Sequence, residues 1–146
     1  MYLPKILIVE DEAPQRRIIR AWLESEGHVC VEAQDGVEGL EQLDEHGDSI
    51  KVIVLDILMP RMDGREFLEI IRSRPRSSTP VVVCTGLGTN ELGTLDVFTM
   101  FHKPIDRKAF LAHIQKAFYF GTRRTSIMGK VTKMKAALCH MQALAM

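Results

Sequence analysis

Four places in the chain set chemically capable side chains directly against the ends of apolar runs. Ile6-Leu7-Ile8-Val9 leads into Glu10-Asp11-Glu12, Val52-Ile53-Val54-Leu55 into Asp56, and Val81-Val82-Val83-Cys84 into Thr85, while Lys103-Pro104 follows a weaker run at 97–101. Singly, each has an ordinary explanation. The acids at 10–12 suit the first turn of a helix, whose dipole favours negative charge. Asp56 can satisfy its own backbone at the start of a loop, Thr85 can serve a turn before Gly86, and Lys103 can be a solvated lysine ahead of a helix-starting proline. Gathered at one place, they describe different chemistry: a carboxylate nucleophile, oxygen ligands for a cation, a hydroxyl and an ammonium. Two unit charges ~4 Å apart repel by roughly 4 kcal/mol at an effective dielectric of about 20. Clustered carboxylates therefore call for a bound cation or a reaching lysine.

The elements between these residues decide whether they meet. Short β-branched runs at Lys5–Val9, His28–Val31, Val52–Leu55 and Val81–Cys84 alternate with segments of helical periodicity. Ile18, Ile19, Trp22 and Leu23 form one apolar stripe, stopped by Gly27; Val37, Leu40 and Leu43 form the next, as far as Gly47. Phe67, Leu68, Ile70 and Ile71 make a third, and Phe110, Leu111, Ile114, Ala117 and Phe118 a last one, opened by Asp106 as N-cap. Continuously apolar strands separated by helices predict an α/β fold, a doubly wound five-stranded parallel sheet covered on both faces. In such a sheet ligands bind beyond the carboxyl ends of the strands, where the four polar sites fall.

Composition sets the surroundings. A chain of 146 residues, 46% hydrophobic and 26% charged, can bury a core without disulfides or a structural metal. Its zero formal charge hides an asymmetry: residues 1–121 carry −5, whereas residues 122–146 hold five basic residues and no acid. We divide the chain there, into a domain over 1–121 and a basic amphipathic tail or linker over 122–146. In the tail Met128, Val131, Met134, Ala137, Leu138 and Met141 recur at helical spacing, which suits a partner helix, a dimer contact, the start of a linker, or a frayed end. Cys30, Cys84 and Cys139 are scattered and form no CxxC motif; the first two read as small buried hydrophobes. The early acids exclude a signal peptide, and no apolar run reaches the ~20 residues of a membrane span, so a cytoplasmic location is expected.

Ile6-Leu7-Ile8-Val9-Glu10-Asp11-Glu12, Val54-Leu55-Asp56-Ile57-Leu58-Met59-Pro60 with Met62-Asp63-Gly64, Val83-Cys84-Thr85-Gly86 and His102-Lys103-Pro104-Ile105 together resemble the receiver domains of bacterial two-component response regulators. The resemblance covers roughly 3–120. It implies a flavodoxin-like strand order 2-1-3-4-5 and a switch phosphorylated on Asp56 by a histidine kinase or phosphotransfer protein. It also implies Mg²⁺ held by Asp11, Asp56 and the Leu58 carbonyl, with Glu10 nearby through water. Lys103 would pair with Asp56 and then with the phosphoryl group, and Thr85 would turn its hydroxyl toward a phosphoryl oxygen. Enzyme activity would extend no further than self-phosphorylation and self-dephosphorylation. A homodimer or a downstream protein is a further expected partner, and no DNA-binding domain is expected within this chain.

The sequence departs from the family pattern in three ways. Gly86 stands where a residue such as Ala is usual. Met100 occupies the position of the usual aromatic switch residue, with Phe101 expected on the opposite face. The stretch from Thr85 to Lys103 is short, so the fourth helix is expected to be truncated. The competing reading is a receiver-like interaction module that is not phosphorylated. A haloacid-type phosphatase would want a second acid where Leu58 stands, and Gly86-x-Gly88 lacks the rest of a dinucleotide fingerprint.

Overall fold

A computed structural model describes residues 3–74 and 78–145, and the side chains of 89–90 and 124–133 are outside its description. Five strands, β1 (Lys5–Val9), β2 (Val29–Ala33), β3 (Ile50–Leu55), β4 (Val81–Thr85) and β5 (Thr99–His102), pair in parallel in the order β2-β1-β3-β4-β5. The strand order reverses between β1 and β3, and this places the acids after β1 beside the acid after β3. The doubly wound α/β expectation holds, and the strand limits move by one or two residues: β2 runs on to Ala33 and β4 to Thr85.

Alternate side chains along each strand feed two cores. Leu7, Val9, Ile53, Leu55, Val81 and Val83 point to the face covered by α2 (Gly36–His46) and α3 (Gly64–Ser73). Ile6, Ile8, Val52, Val54, Val82 and Cys84 point to the face covered by α1 (Ala13–Ser25) and α5 (Arg107–Leu144). All six residues of β3 are buried, as a central parallel strand covered on both faces requires. The expected apolar stripes supply the helix faces: Ile19 and Leu23 on α1, Phe67, Leu68 and Ile71 on α3, and Phe110, Ile114 and Ala117 on α5. Ile18 is the exception. It lies half exposed, because α1 turns only Ile19 and Leu23 fully into the sheet. Cys30 and Cys84 are buried, as expected, and Cys139 is exposed.

Two regions depart from an even α/β layering. The fourth helix, α4 (Thr89–Leu92), is a single turn between Gly88 and Gly93, in line with the short spacing in the sequence. The fifth does not stop with the domain. Asp106 caps it, accepting from the Ala109 N–H at 2.8 Å, and it then continues unbroken for 38 residues. The tail is thus the outer half of α5 rather than a separate helix. Where α5 leaves the sheet, a Cβ on Gly121 would lie 2.2 Å from the Lys51 carbonyl oxygen, so only glycine permits this crossing. No helix among the described residues is long and apolar enough to cross a membrane.

Candidate functional site: an acidic cluster at the sheet's carboxyl end

The strand ladder delivers the site residues. The Asp56 N–H donates to the Val9 carbonyl at 3.0 Å, and the Glu10 N–H donates to the Ala33 carbonyl at 3.1 Å. Both backbones are therefore fixed by pairing that continues one residue past the strands. Glu10, Asp11 and Asp56 each bring a carboxylate oxygen within 4.8 Å of the others. The Lys103 ammonium reaches in from the β5 side, 3.0 Å from Glu10 and 3.4 Å from Asp56. Glu10 therefore contacts the lysine directly and more closely than Asp56 does. Its other oxygen accepts from the Glu12 N–H at 3.2 Å, and Arg16 donates to the Glu10 carbonyl at 2.7 Å.

The electrostatics follow from burial. Burial first, and then the Asp56 charge, push the Glu10 carboxyl up to about 7. Burial also raises Asp56, although Lys103 and a hydrogen bond with Glu10 pull the other way. Lys103 is drawn down by burial but raised more by its two carboxylate partners, so it stays charged. One ammonium thus serves two carboxyls, Glu10 and Asp56, with Asp11 beside them. These all-oxygen donors fit a hard divalent cation such as Mg²⁺, which takes few carboxylates and retains water. Such a cation would offset the Asp56 charge, which adds to burial in raising Glu10.

Thr85 ends β4 fully buried. Its hydroxyl accepts from the Leu87 N–H at 3.1 Å, and its carbonyl accepts from the Lys103 N–H at 2.9 Å. The threonine, the lysine and the loop at Leu87 are thus mechanically joined, and His102 adds a 3.1 Å contact to the Leu87 carbonyl. The Lys103–Pro104 peptide is cis. Leu58, two residues past Asp56, turns its side chain outward, 57% exposed. Met100 packs into the α2–α3 core and Phe101 into the α1–α5 core, the opposite faces that strand alternation requires.

Two supports went unread in the sequence. Asp35 caps α2, accepting from the Glu38 N–H at 2.9 Å, and pairs with Arg61 in the loop that follows Asp56. Burial opposes ionisation of Asp35, but the Glu38 N–H and Arg61 outweigh it and hold the carboxyl low. Arg61 takes a left-handed backbone, φ 63°, within this pairing. The Asp-Gly-Val-Glu pattern at 35–38 is a capping signal that could have exposed the first half of the device. Gly64 is the second support: a Cβ there would meet the Asp56 carbonyl oxygen at 2.5 Å. The glycine of the Asp63-Gly64 motif lets α3 begin directly against the backbone of Asp56.

Comparison with known proteins identifies the family of the chain. The family model of the response regulator receiver domain matches residues 6–115, and the chain belongs to that family. It is therefore a two-component signalling module. The transcriptional regulatory protein ResD of Bacillus subtilis is 34% identical over 128 residues, covering 80% of this chain and 51% of ResD. The Regulator of RpoS of Escherichia coli is 46% identical over 79 residues, covering 54% of this chain and 23% of that protein. The chain thus spans about half or less of the length of these relatives. Among solved structures, a CheY-like receiver domain protein of Methanospirillum hungatei aligns with a TM-score of 0.74 at 24% identity, covering 84% of this chain and 98% of that one, a likeness of fold.

Proposed function

We propose that this chain is a phosphoryl-accepting switch of a two-component phosphorelay, with Asp56 as the acceptor and a histidine kinase or phosphotransfer protein as the donor. The observation that carries the reading is the convergence of Glu10, Asp11 and Asp56 within 4.8 Å, with Lys103 3.4 Å from Asp56. A phosphohistidine presents its phosphorus to the Asp56 carboxylate; the new O–P bond forms as the P–N bond breaks, and the imidazole leaves with the electron pair. Asp11, Asp56 and the Leu58 carbonyl would hold Mg²⁺, with Glu10 behind them. When bound, the ion would offset negative charge on the phosphoryl oxygens.

The protein's own groups do the rest. Lys103, shared at rest between Glu10 and Asp56, is the cation available to a new phosphoryl oxygen. Thr85 is tied through its hydroxyl to Leu87, so a hydroxyl that turns toward a phosphoryl oxygen gives up that bond and frees the loop behind it. A location in the cytoplasm, where kinase and phosphodonor meet, accords with this role.

The decisive experiment incubates the chain with Mg²⁺ and acetyl phosphate and reads intact mass. One labile phosphoryl group is expected on the wild-type chain and none on Asp56→Asn. Equal labelling of that variant would remove Asp56 from the role, and no labelling of either would favour a module that works without phosphorylation.

A further inference from the structure

The outer half of α5 leaves a large apolar face without cover. Residues 134–145 are all exposed, including Met134 (65%), Leu138 (56%) and Met141 (66%), and Phe120 is 49% exposed where α5 is still seated on the sheet. Met134, Leu138, Met141 and Ala145 follow one another by four, three and four residues, the spacing of a coiled-coil seam. Phe120 lies two heptads before Met134; of the three seam positions between them in the sequence, Ile127 and Val131 are apolar and the other is Arg124. This stripe does not prolong the helix's core-facing side. Phe110, Ile114, Ala117 and Gly121 face the sheet, and at 3.6 residues per turn the exposed stripe lies roughly 110° around the axis from them. The domain therefore cannot cover it without breaking α5.

The stripe begins on the body of the protein. Phe120 and Phe98, with ring centroids 6.2 Å apart, flank a recess of about 400 Å³ lined also by Arg72, Pro80, Asp96 and Val97. A helix lying along α5 would come to rest with its end in this recess, beside the strand that leads to Lys103. A helix without tertiary contacts is marginal in water even at good propensity, so the outer half of α5 gains order from whatever covers it.

Charge selects the occupant. Arg123, Arg124, Lys130, Lys133 and Lys135 are the charged residues of 122–146, and no acid accompanies them. A second copy would bring flanking Arg123, Lys130 and Lys135 against the same three residues, with no acid on either side. A parallel pairing would place Lys130 opposite the other copy's Lys135 at flanking positions, where like charges oppose assembly. The two methionines in the seam adapt to a partner's shape rather than dictate one. We propose that this face docks an acidic amphipathic helix of a partner protein, with the partner's apolar stripe on Phe120, Met134, Leu138 and Met141 and its acids against the flanking lysines. The proposal does not depend on phosphorylation of Asp56.

The test titrates the full chain with a labelled synthetic helix of about three heptads, Leu at the seam and Glu at the flanking positions. Its controls are the same helix with Lys for Glu, and the chain carrying Leu138→Ser with Met141→Ser, two exposed positions that the fold does not use. The expected result is one-to-one binding accompanied by a gain in far-ultraviolet helicity. Binding should weaken at least tenfold in the double variant and in Lys135→Glu, weaken with salt, and fail with the lysine helix. Three results would overturn the proposal: acidic-helix binding that is unchanged in the variants, sedimentation of the chain alone as a dimer that the double variant dissolves, or no helix binding alongside capture by anionic phosphatidylglycerol vesicles through the same residues.

Discussion

The two loops that flank Asp56 are built on opposite terms. On the α3 side every part is anchored. Asp63 accepts from the Glu66 N–H at 2.9 Å, the Gly64 N–H donates to the Ile57 carbonyl at 2.8 Å, Met62 packs against Gly36, and Arg61 is held by Asp35. On the β4–β5 side, Leu92 is the one fully buried side chain described between Gly86 and Asp96, and the helix there is a single turn. The anchored side fixes the backbone at Asp56 and Ile57. The open side, held by hydrogen bonds to Thr85 and His102 and by Arg65 and Arg72 of α3, buries little of its own and so resembles the low-stability segments from which moving elements are drawn.

The sharpest way to break this contrast is to add one methyl group on each side. Gly64→Ala forces a Cβ to within 2.5 Å of the Asp56 carbonyl oxygen and 2.7 Å of the Ile57 Cα, backbone atoms that cannot swing aside. A loss of about 3 kcal/mol in urea unfolding is expected, with Asp56 phosphorylation impaired in whatever remains folded. A near-neutral Gly64→Ala would mean that the α3 side is not rigid.

The next effect is kinetic. Leu58 and Leu87 stand two residues past Asp56 and Thr85 in the sequence, and neither can orient a water by hydrogen bonding. Leu58 is also largely exposed, so a polar replacement costs little stability. Leu58→Asn is expected to speed decay of the phosphorylated chain by a factor on the order of 10². Decay of the wild type as fast as that of Leu58→Asn would show that water reaches the site regardless of these leucines.

A smaller effect should appear in the pH dependence of the unphosphorylated chain. Glu10 titrates at about 7 in the fold against 4.5 as the ordinary value, and Asp56 is raised as well. The folded state thus holds protons that the unfolded chain has released. This contribution to stability is complete below the ordinary carboxylate range and is lost as pH rises through about 7. Urea midpoints measured at about pH 5 and about pH 8 should fall with pH from these groups, and millimolar Mg²⁺ should restore the higher-pH value selectively. A Mg²⁺ effect of equal size in Asp11→Ala would place the ion elsewhere.

The smallest effect completes the comparison. A Cβ on Gly86 meets nothing within 4 Å, so Gly86→Ala should change stability by no more than about 0.5 kcal/mol. A large loss there would show that the open side is more tightly built than its packing suggests.

Much of the acceptor end was legible in the sequence because its logic is local. An apolar strand that stops at Asp56, another that stops at Glu10 and a third at Thr85 fix which side chains emerge at one edge of a parallel sheet. The truncated α4 was legible from the residue count between Thr85 and Lys103. What was not legible depends on contacts between distant segments: the Asp35–Arg61 pair, the direct approach of Lys103 to Glu10, and the crossing at Gly121. Ile18 shows the same limit at one residue. Helical spacing placed it with Ile19, Trp22 and Leu23, but only the docking angle of α1 decides which of these the sheet covers. The tail was ambiguous for a different reason, since periodicity shows an apolar stripe without showing that the helix before it never ends.

Once its exposed face is covered, that unbroken helix makes the molecule a lever. Phe101 on β5 packs edge-on against Phe110 and His113 at the base of α5, with ring centroids 5.8 and 5.2 Å away, so the strand that carries Lys103 bears on the short arm. Gly121, pressed against the Lys51 carbonyl, is the fulcrum. The arm beyond it runs from position 122 to Leu144 and is roughly 35 Å long at 1.5 Å per residue. A tilt of about 5° at the fulcrum therefore sweeps the far end through about 3 Å, roughly two to three times the displacement where Phe101 bears on the helix.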